Sequence, residues 1–289
     1  MVPRSKPPPP VARFWEPQGD YCRCLTCPQN CLVAPGSAGL CAGRINQGGE
    51  LLAVNYGAIS SLAMDPIEKK PLYRFQPGSY ILSVGGYGCN LNCSFCQNFR
   101  ISREIPPTRY ISPPELVEIA GSYPQSVGVA FTYNEPLVAI EYLLDCAPQL
   151  QQAGEKVVLV TNGVISPEPL AQLLPYVDAM NIDIKGFNTT FYPKIGGSLE
   201  WVLPTVAAVW QRCHLEITTL VIPGENDDSK EIEALAAWLA ALSPQIPLHL
   251  SRFFPRYRML EVGATPVATL QRLAAVARKY LEYVYIGNV

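Results

Sequence analysis

The sequence predicts an α/β protein: a partial (β/α)6, TIM-like barrel with a small cysteine-rich module at its N-terminus. Two observations carry this. From Tyr80 onward, apolar and β-branched runs alternate with segments of helical period, which calls for a parallel sheet with helices packed outside it. Six or seven such units suit a barrel or partial barrel better than a small open sheet. Ahead of them the chain is crowded with cysteine: eight of its 10 cysteines fall in the first third of the 289 residues.

Residues 1–19 are expected to be a disordered tail, because Pro7 to Pro10 stand in a row and can form neither a helix nor a paired strand. Residues 20–79 are the cysteine-rich metal-binding module and an approach segment. Within it, 20–50 are rich in Cys, Gly and Asn with no sustained period, as in a module organised by a ligand. Residues 51–56 and 58–62 look like two short strands around Gly57, and the stretch from Asp65 to Phe75 reads as a loop punctuated by Pro66 and Pro71. Residues 80–289 are the barrel. Its strands are expected at 80–84, 127–132, 156–161, 179–184, 215–222, 247–253 and 283–286. Its helices are expected at 113–121, 136–152, 167–176, 201–212, 228–242 and 265–280. In the last of these Leu270, Leu273, Ala274, Ala277 and Leu281 recur at helical spacing.

Apolar residues make up 48% of the chain and charged residues 16%, so it is globular rather than disordered. Lys and Arg number 22 against 24 for Asp and Glu, a net charge of −2 that argues against nucleic acid or an anionic membrane as partner. No apolar stretch approaches the roughly 20 residues of a membrane span. The first residues also lack the apolar core of a signal peptide, so the expected location is cytoplasmic. In a reducing cytosol, clustered cysteines more often bind metal or do catalysis than form disulfides. With only His214 and His249 as histidines, thiolate must dominate any metal site, which favours zinc or iron–sulfur.

Cys89, Cys93 and Cys96 follow the first barrel strand directly, through Gly85-Gly86-Tyr87-Gly88. A structural zinc site needs four ligands in closed tetrahedral geometry, and three cysteines with no nearby histidine do not supply that. Three thiolates on a four-iron cluster leave one iron open, whereas an electron-carrier ferredoxin closes every position with cysteine. An open iron can hold and reductively cleave a ligand. On the residues alone an open-site cluster stands ahead of zinc and of a fully ligated cluster. Farther upstream, Cys24-x2-Cys27-x3-Cys31-x9-Cys41 gathers four thiols within 18 residues. That set is enough for a zinc knuckle, a rubredoxin-like iron or a second four-iron cluster, with free thiols as the remaining reading. Cys22, Cys146 and Cys213 lie outside both sets, and the last two read as core residues of helical segments.

The spacing C-x3-C-x2-C after a first barrel strand, with Phe95 before the last cysteine, resembles the radical S-adenosylmethionine (SAM) superfamily. The resemblance implies that SAM chelates the open iron of a [4Fe–4S] cluster on Cys89, Cys93 and Cys96. One electron then cleaves it to methionine and a 5′-deoxyadenosyl radical, which abstracts hydrogen from a substrate.

Strand-end segments extend the match. Thr132-Tyr-Asn134-Glu135-Pro136 stands where the family typically has Gly-Gly-Glu-Pro, so the resemblance places Asn134 and Glu135 beside SAM, with Glu135 accepting from its ammonium. The plain alternative is that Glu135 and Pro136 simply start a helix. Thr161-Asn162-Gly163 is similar to a segment that lies along SAM in glycyl-radical activating enzymes, although Val160 replaces their usual Asp. Alternation places Asn181, Asp183 and Lys185 on one face of a strand. By resemblance Asp183 and Lys185 line the SAM pocket and the substrate entry as catalytic candidates; a mutual structural ion pair is the alternative. Pro223, in Leu220-Val-Ile-Pro-Gly-Glu-Asn-Asp227, falls in a segment that resembles the one near the adenine. His249 is the histidine expected to face the active site, whereas His214 reads as structural.

Asp65-Pro66-Ile-Glu68-Lys69-Lys70-Pro71, Thr-Tyr-Asn-Glu-Pro and His-Leu-Ser-Arg-Phe-Phe-Pro together resemble the radical SAM enzymes of the AmmeMemoRadiSam system, relatives of pyruvate formate-lyase activating enzymes. The implied partners are a low-potential electron donor, ferredoxin or flavodoxin, and the other proteins of that system. Two further readings stand beside this one. One is a glycyl-radical enzyme activase; the other, from a different class, is an iron–sulfur electron carrier or zinc-stabilised binding module.

Overall fold

The computed structural model describes residues 7–289. Its main sheet has eight strands: β1 (Ser61–Pro66), β2 (Tyr80–Gly85), β3 (Ser126–Phe131), β4 (Lys156–Thr161), β5 (Ala179–Asp183), β6 (His214–Val221), β7 (Leu248–Arg252) and β8 (Val284–Gly287). They lie side by side in chain order; β2 to β8 are parallel, and β1 runs antiparallel along β2. The six crossovers carry α1 (Pro113–Gly121), α2 (Ile140–Gln152), α3 (Pro167–Leu173), α4 (Leu199–Trp210), α5 (Ser229–Leu242) and α6 (Val267–Ala277). Since β1 and β8 are both edges, the barrel does not close.

Local chemistry explains the element starts. Pro113 opens α1, and the hydroxyl of Ser112 accepts from the Glu115 amide at 3.3 Å. Asp228 caps α5 in the same way through the Lys230 amide. The helix expected from residue 136 starts with a 3-10 turn, Pro136–Ala139, and becomes α-helical only at Ile140. Cys146 is buried in α2, but Cys213 lies just past α4, one residue before β6, rather than in a helix.

Strand alternation divides the core. Leu82, Val129, Phe131, Leu159, Met180 and Ile182 pack in the main core with the helices. Their neighbours Ile81, Ala130, Val158 and Ala179 form a second cluster with Ile67 and Leu72. The proline-punctuated segment after β1 is thus a plug, driven against the inner face of the sheet by two wholly buried aliphatic side chains.

The sheet begins at Ser61, inside the segment expected as approach, because β1 pairs along the whole of β2. The expected tail differs too. Its first six residues lie outside the described residues; the Pro10 carbonyl accepts from the Ala53 amide at 2.8 Å and Val11 bridges to Leu52. Phe14 is buried in the main core, and Trp15–Gln18 is a strand paired with Tyr21–Cys24, which pairs in turn with Leu32–Val33. Long-range partners order this segment: the Arg13 amide donates to Glu141 of α2 at 3.0 Å. A hairpin, Arg44–Gln47 with Glu50–Ala53, completes the module. It is fastened to α2 by a buried pair, Arg44 Nη2 to Glu141 Oε2 at 2.7 Å.

Candidate functional site

The loops leaving the carboxyl ends of the parallel strands surround a cavity of about 600 Å³. Cys89, Cys93, Cys96 and Phe95 reach it from the loop after β2, and Asn134 and Glu135 from the loop after β3. Thr161 and Asn162 come from β4 and its following loop, Asp183 from the end of β5 and Lys185 from the loop after it, and His249 from β7. Of the predicted barrel site residues only Pro223 is absent from its walls. Pro223 sits in a turn that Asn226 draws back, its amide nitrogen donating to the Lys185 carbonyl and its oxygen accepting from the Ile222 amide.

The thiol loop depends on Gly88. Its φ is +92°, and a Cβ there would stand 2.2 Å from the Cys41 carbonyl oxygen, so only glycine lets the module and this loop meet. The Leu91 amide lies 3.4 Å from Cys89 Sγ, and Asn162 Nδ2 lies 3.7 Å from the same sulfur. Burial pushes the Cys93 thiol up to about 11 against the pull of the nearby Lys185 ammonium. Phe95 is buried and stacks on Phe191 at 6.0 Å.

Glu135 is 3% exposed and binds its neighbours with both oxygens. Oε1 accepts from Thr161 Oγ1 at 2.6 Å and from the Leu137 amide at 3.0 Å; Oε2 accepts from the Asn162 amide at 2.7 Å. It therefore both caps the following helical turn and clamps the end of β4. Burial pushes its carboxyl up to about 7, with those three donors and Lys185 pulling the other way. Asn134 braces the glycine turn, accepting from the Gly86 amide at 2.9 Å and donating to the Gly88 carbonyl at 3.1 Å. Tyr133 takes the place of a family glycine yet keeps a φ of +71°, a strained value for a bulky residue. Lys185 and Asp183 pair at 2.8 Å in the cavity wall, so the pair is mutual as well as placed to meet a ligand.

Sequence reasoning missed two groups. Glu216, on β6, is fully buried and accepts from His249 at 2.6 Å, His214 at 2.9 Å and the amides of Tyr73 and Arg74 at 3.1 and 2.7 Å. Burial raises its carboxyl, but the two imidazoles and the Arg74 amide outweigh that and hold it at about 2. His214, read as structural, thus shares one carboxylate with His249. A carboxylate inside an apolar strand, two residues from a histidine, is the signal that marks it. The second group lies on the plug. Lys70 is 2% exposed and pairs with Asp65 at 2.9 Å, while Tyr133 donates its hydroxyl to the same carboxylate. Lys69, Lys70 and Tyr133 all line the cavity.

Cys24, Cys27, Cys31 and Cys41 line a separate small cavity between the module and the barrel. All ten cysteines are free thiols. Among the described residues, no three Cys, His, Asp or Glu side chains stand close enough together to share one metal ion. None of the described helices is long and apolar enough to cross a membrane.

Comparison with known proteins places this arrangement. The radical SAM superfamily domain matches residues 83–238. An uncharacterized protein of Methanocaldococcus jannaschii is 41% identical over 290 residues, spanning 96% of this chain and 85% of that one. The indoleacetate decarboxylase activating enzyme of Tractidigestivibacter scatoligenes is 23% identical over 65% of this chain and 60% of its own. Among solved structures, a domain of a pyruvate-formate lyase-activating enzyme from Bacteroides vulgatus superposes with a TM-score of 0.50 at 22% identity, over 56% of this chain and 99% of that one. Streptococcus suis SuiB bound to S-adenosylmethionine gives 0.53 at 12% identity, over 70% and 48%. The chain belongs to the radical SAM superfamily, whose members use a [4Fe–4S] cluster and S-adenosylmethionine.

Proposed function

We propose that the cavity is the catalytic site of a radical SAM enzyme of the AmmeMemoRadiSam type, with Cys89, Cys93 and Cys96 holding the cluster. The observation that carries this is convergence: residues from four strand ends, all picked out by their motifs, surround the space beside three thiols. The donor set fits the group. It is soft, and the Leu91 and Asn162 N–H groups approach its Cys89 sulfur. When bound, the cluster and SAM supply a 5′-deoxyadenosyl radical by one-electron cleavage of the sulfonium.

The chain's own residues hold and orient. Glu135 fixes the Thr161–Asn162 turn and offers a buried carboxylate to the SAM ammonium. Asn162 donates toward Cys89, and Phe95 closes the loop between the last two thiols. Asp183 and Lys185 present one charge of each sign to the substrate side. His249, oriented by Glu216, is a positioned proton donor or acceptor in the same wall. The reductant in this reading is a low-potential ferredoxin or flavodoxin, with the system's other proteins as partners. A reducing compartment such as the cytoplasm keeps the thiols free. An electron carrier or zinc-stabilised module would have no use for Glu135, Asp183 and Lys185 around the thiols.

Anaerobically reconstituted protein given SAM and dithionite is expected to release 5′-deoxyadenosine and methionine, and Cys93→Ala to abolish both. Fully loaded protein that yields neither overturns the reading. A second reading, activation of a glycyl-radical enzyme, is favoured by the likeness to the indoleacetate decarboxylase activating enzyme. It requires a glycyl-radical EPR doublet on a partner protein, and a genome encoding no such partner excludes it.

A further inference from the structure

The superfamily assignment explains one set of cysteines and leaves another. Cys24, Cys27, Cys31 and Cys41 come from a strand end, two loops and the approach to the Arg44–Gln47 strand, yet all four border one enclosed space. Its other walls include Thr26, Arg44 and Asn90. Two of these carry buried polar atoms with no partner: Thr26 Oγ1 and Arg44 Nε, in residues 5% and 1% exposed. Unpaired buried donors are costly, and two on the walls of one small space call for an acceptor inside it. Arg44 already spends its Nη atoms on Glu141, Asn55 and the Gly43 carbonyl, so its free Nε–H is a residual donor beside the thiols.

We propose that these four thiols hold a second iron–sulfur cluster, with Thr26 and Arg44 donating hydrogen bonds to its sulfur atoms. The unpartnered Thr26 and Arg44 donors favour a cluster over zinc, because a cluster brings bridging sulfides as further acceptors and zinc brings none. Four thiolates also close every position, so this site carries no open iron and binds no SAM. The charge of Arg44 is already paired with Glu141, so what it offers this site is its Nε–H donor. The site adjoins the SAM site, since Asn90 lines this cavity and Cys89 the other.

The proposal is independent of the SAM chemistry, and its test removes that chemistry. In the variant Cys89→Ala/Cys93→Ala/Cys96→Ala, anaerobic reconstitution with iron and sulfide is expected to leave about four irons and about four sulfides per chain. Mössbauer spectra should be those of a fully thiolate-ligated cluster and unchanged by SAM. One zinc per chain without sulfide, or no bound metal, overturns the proposal. Adding Thr26→Val, which keeps the side-chain shape, is expected to hold the iron and sulfide content and to lower the reduction midpoint, because a hydrogen bond to sulfur is lost. An unmoved midpoint removes Thr26 from the site. In the chain with its triplet intact, Cys31→Ala is expected to halve total iron while the SAM-responsive EPR signal persists. Loss of no iron at all would count against the quartet.

Discussion

Glu135 and Glu216 are both almost wholly buried beside the same cavity, and they sit at opposite ends of the carboxylate range. Glu135 is pushed up to about 7 and Glu216 is held at about 2. The number of hydrogen bonds does not separate them, since Glu135 accepts three and Glu216 four. The partners do. Glu135 meets a hydroxyl and two amides, with Lys185 acting from farther off, whereas Glu216 receives two imidazoles directly. Both imidazole contacts pull the Glu216 carboxyl down, and the direct partners of Glu135 include no such group. Glu216 is therefore a finished structural knot. The direct partners of Glu135 are a hydroxyl and two amides, an environment suited to the proposed contact with the SAM ammonium.

The largest break in this comparison comes from Glu216→Ala. It strands the amides of Tyr73 and Arg74 and both imidazoles, a cost of about 3–5 kcal/mol. In a chain of this size that lowers the melting temperature by roughly 10 °C, readable by circular dichroism. A shift of about 2 °C or less would show that the knot is not holding the plug to β6.

Next comes pH, where the two carboxylates act with opposite signs. The fold raises Glu135 above its ordinary 4.5, so its protonated form favours the folded state. That stability is complete below pH 4.5 and fades as pH rises through about 7. The fold lowers Glu216 below 4.5, so its contribution is complete above that pH and fades as pH falls toward about 2. Each swing is worth about 3 kcal/mol. Urea midpoints measured between pH 5 and 7.5 should fall with rising pH in the parent chain and flatten in Glu135→Gln. SAM should oppose the fall by supplying a cation. Identical slopes in the two chains would mean that Glu135 does not titrate in this window.

These contrasts also mark what the sequence could and could not show. The triplet, Glu135, Thr161, Asn162, Asp183 and Lys185 were legible because each lies in a short motif at a strand end, and a parallel sheet brings strand ends together. Glu216 was not, because its meaning depends on amides 142 and 143 residues away on the plug. The plug itself hid behind its prolines: Ile67 and Leu72 have no period, and only the open sheet gives them a surface to fill. For the same reason Phe14 and Arg13 looked like tail, since their partners belong to the barrel and its helix α2. Local chemistry can be read from spacing; contacts between distant segments need the fold.

Glu135→Gln is a milder perturbation than any change at Glu216. The amide keeps one oxygen for Thr161 and Leu137 but turns a donor toward the Asn162 amide, a mismatch costing about 1–2 kcal/mol. Removing the charge also removes the partner for an ammonium. SAM affinity is therefore expected to fall about tenfold while iron content holds, as isothermal titration and iron assay would show. Unchanged affinity would reduce Glu135 to a helix cap and a strand clamp.

The smallest effect should come from Tyr133→Phe, which separates strain from hydrogen bonding at the entrance. The ring still packs over Lys70, whose nitrogen lies 4.6 Å from its centre, and φ remains positive, so only the hydroxyl's bond to Asp65 is lost. Asp65 keeps Lys70 and Lys69 at 2.9 and 3.2 Å, so it is not left unpaired. The expected cost is about 1 kcal/mol, a melting shift of about 2–4 °C. Tyr133→Gly, by contrast, relieves the backbone but frees Lys70 from its aromatic cover. If that variant proves the more stable of the two, the positive φ is a strain the protein tolerates in order to keep an aromatic lid on Lys70 at the mouth of the cavity.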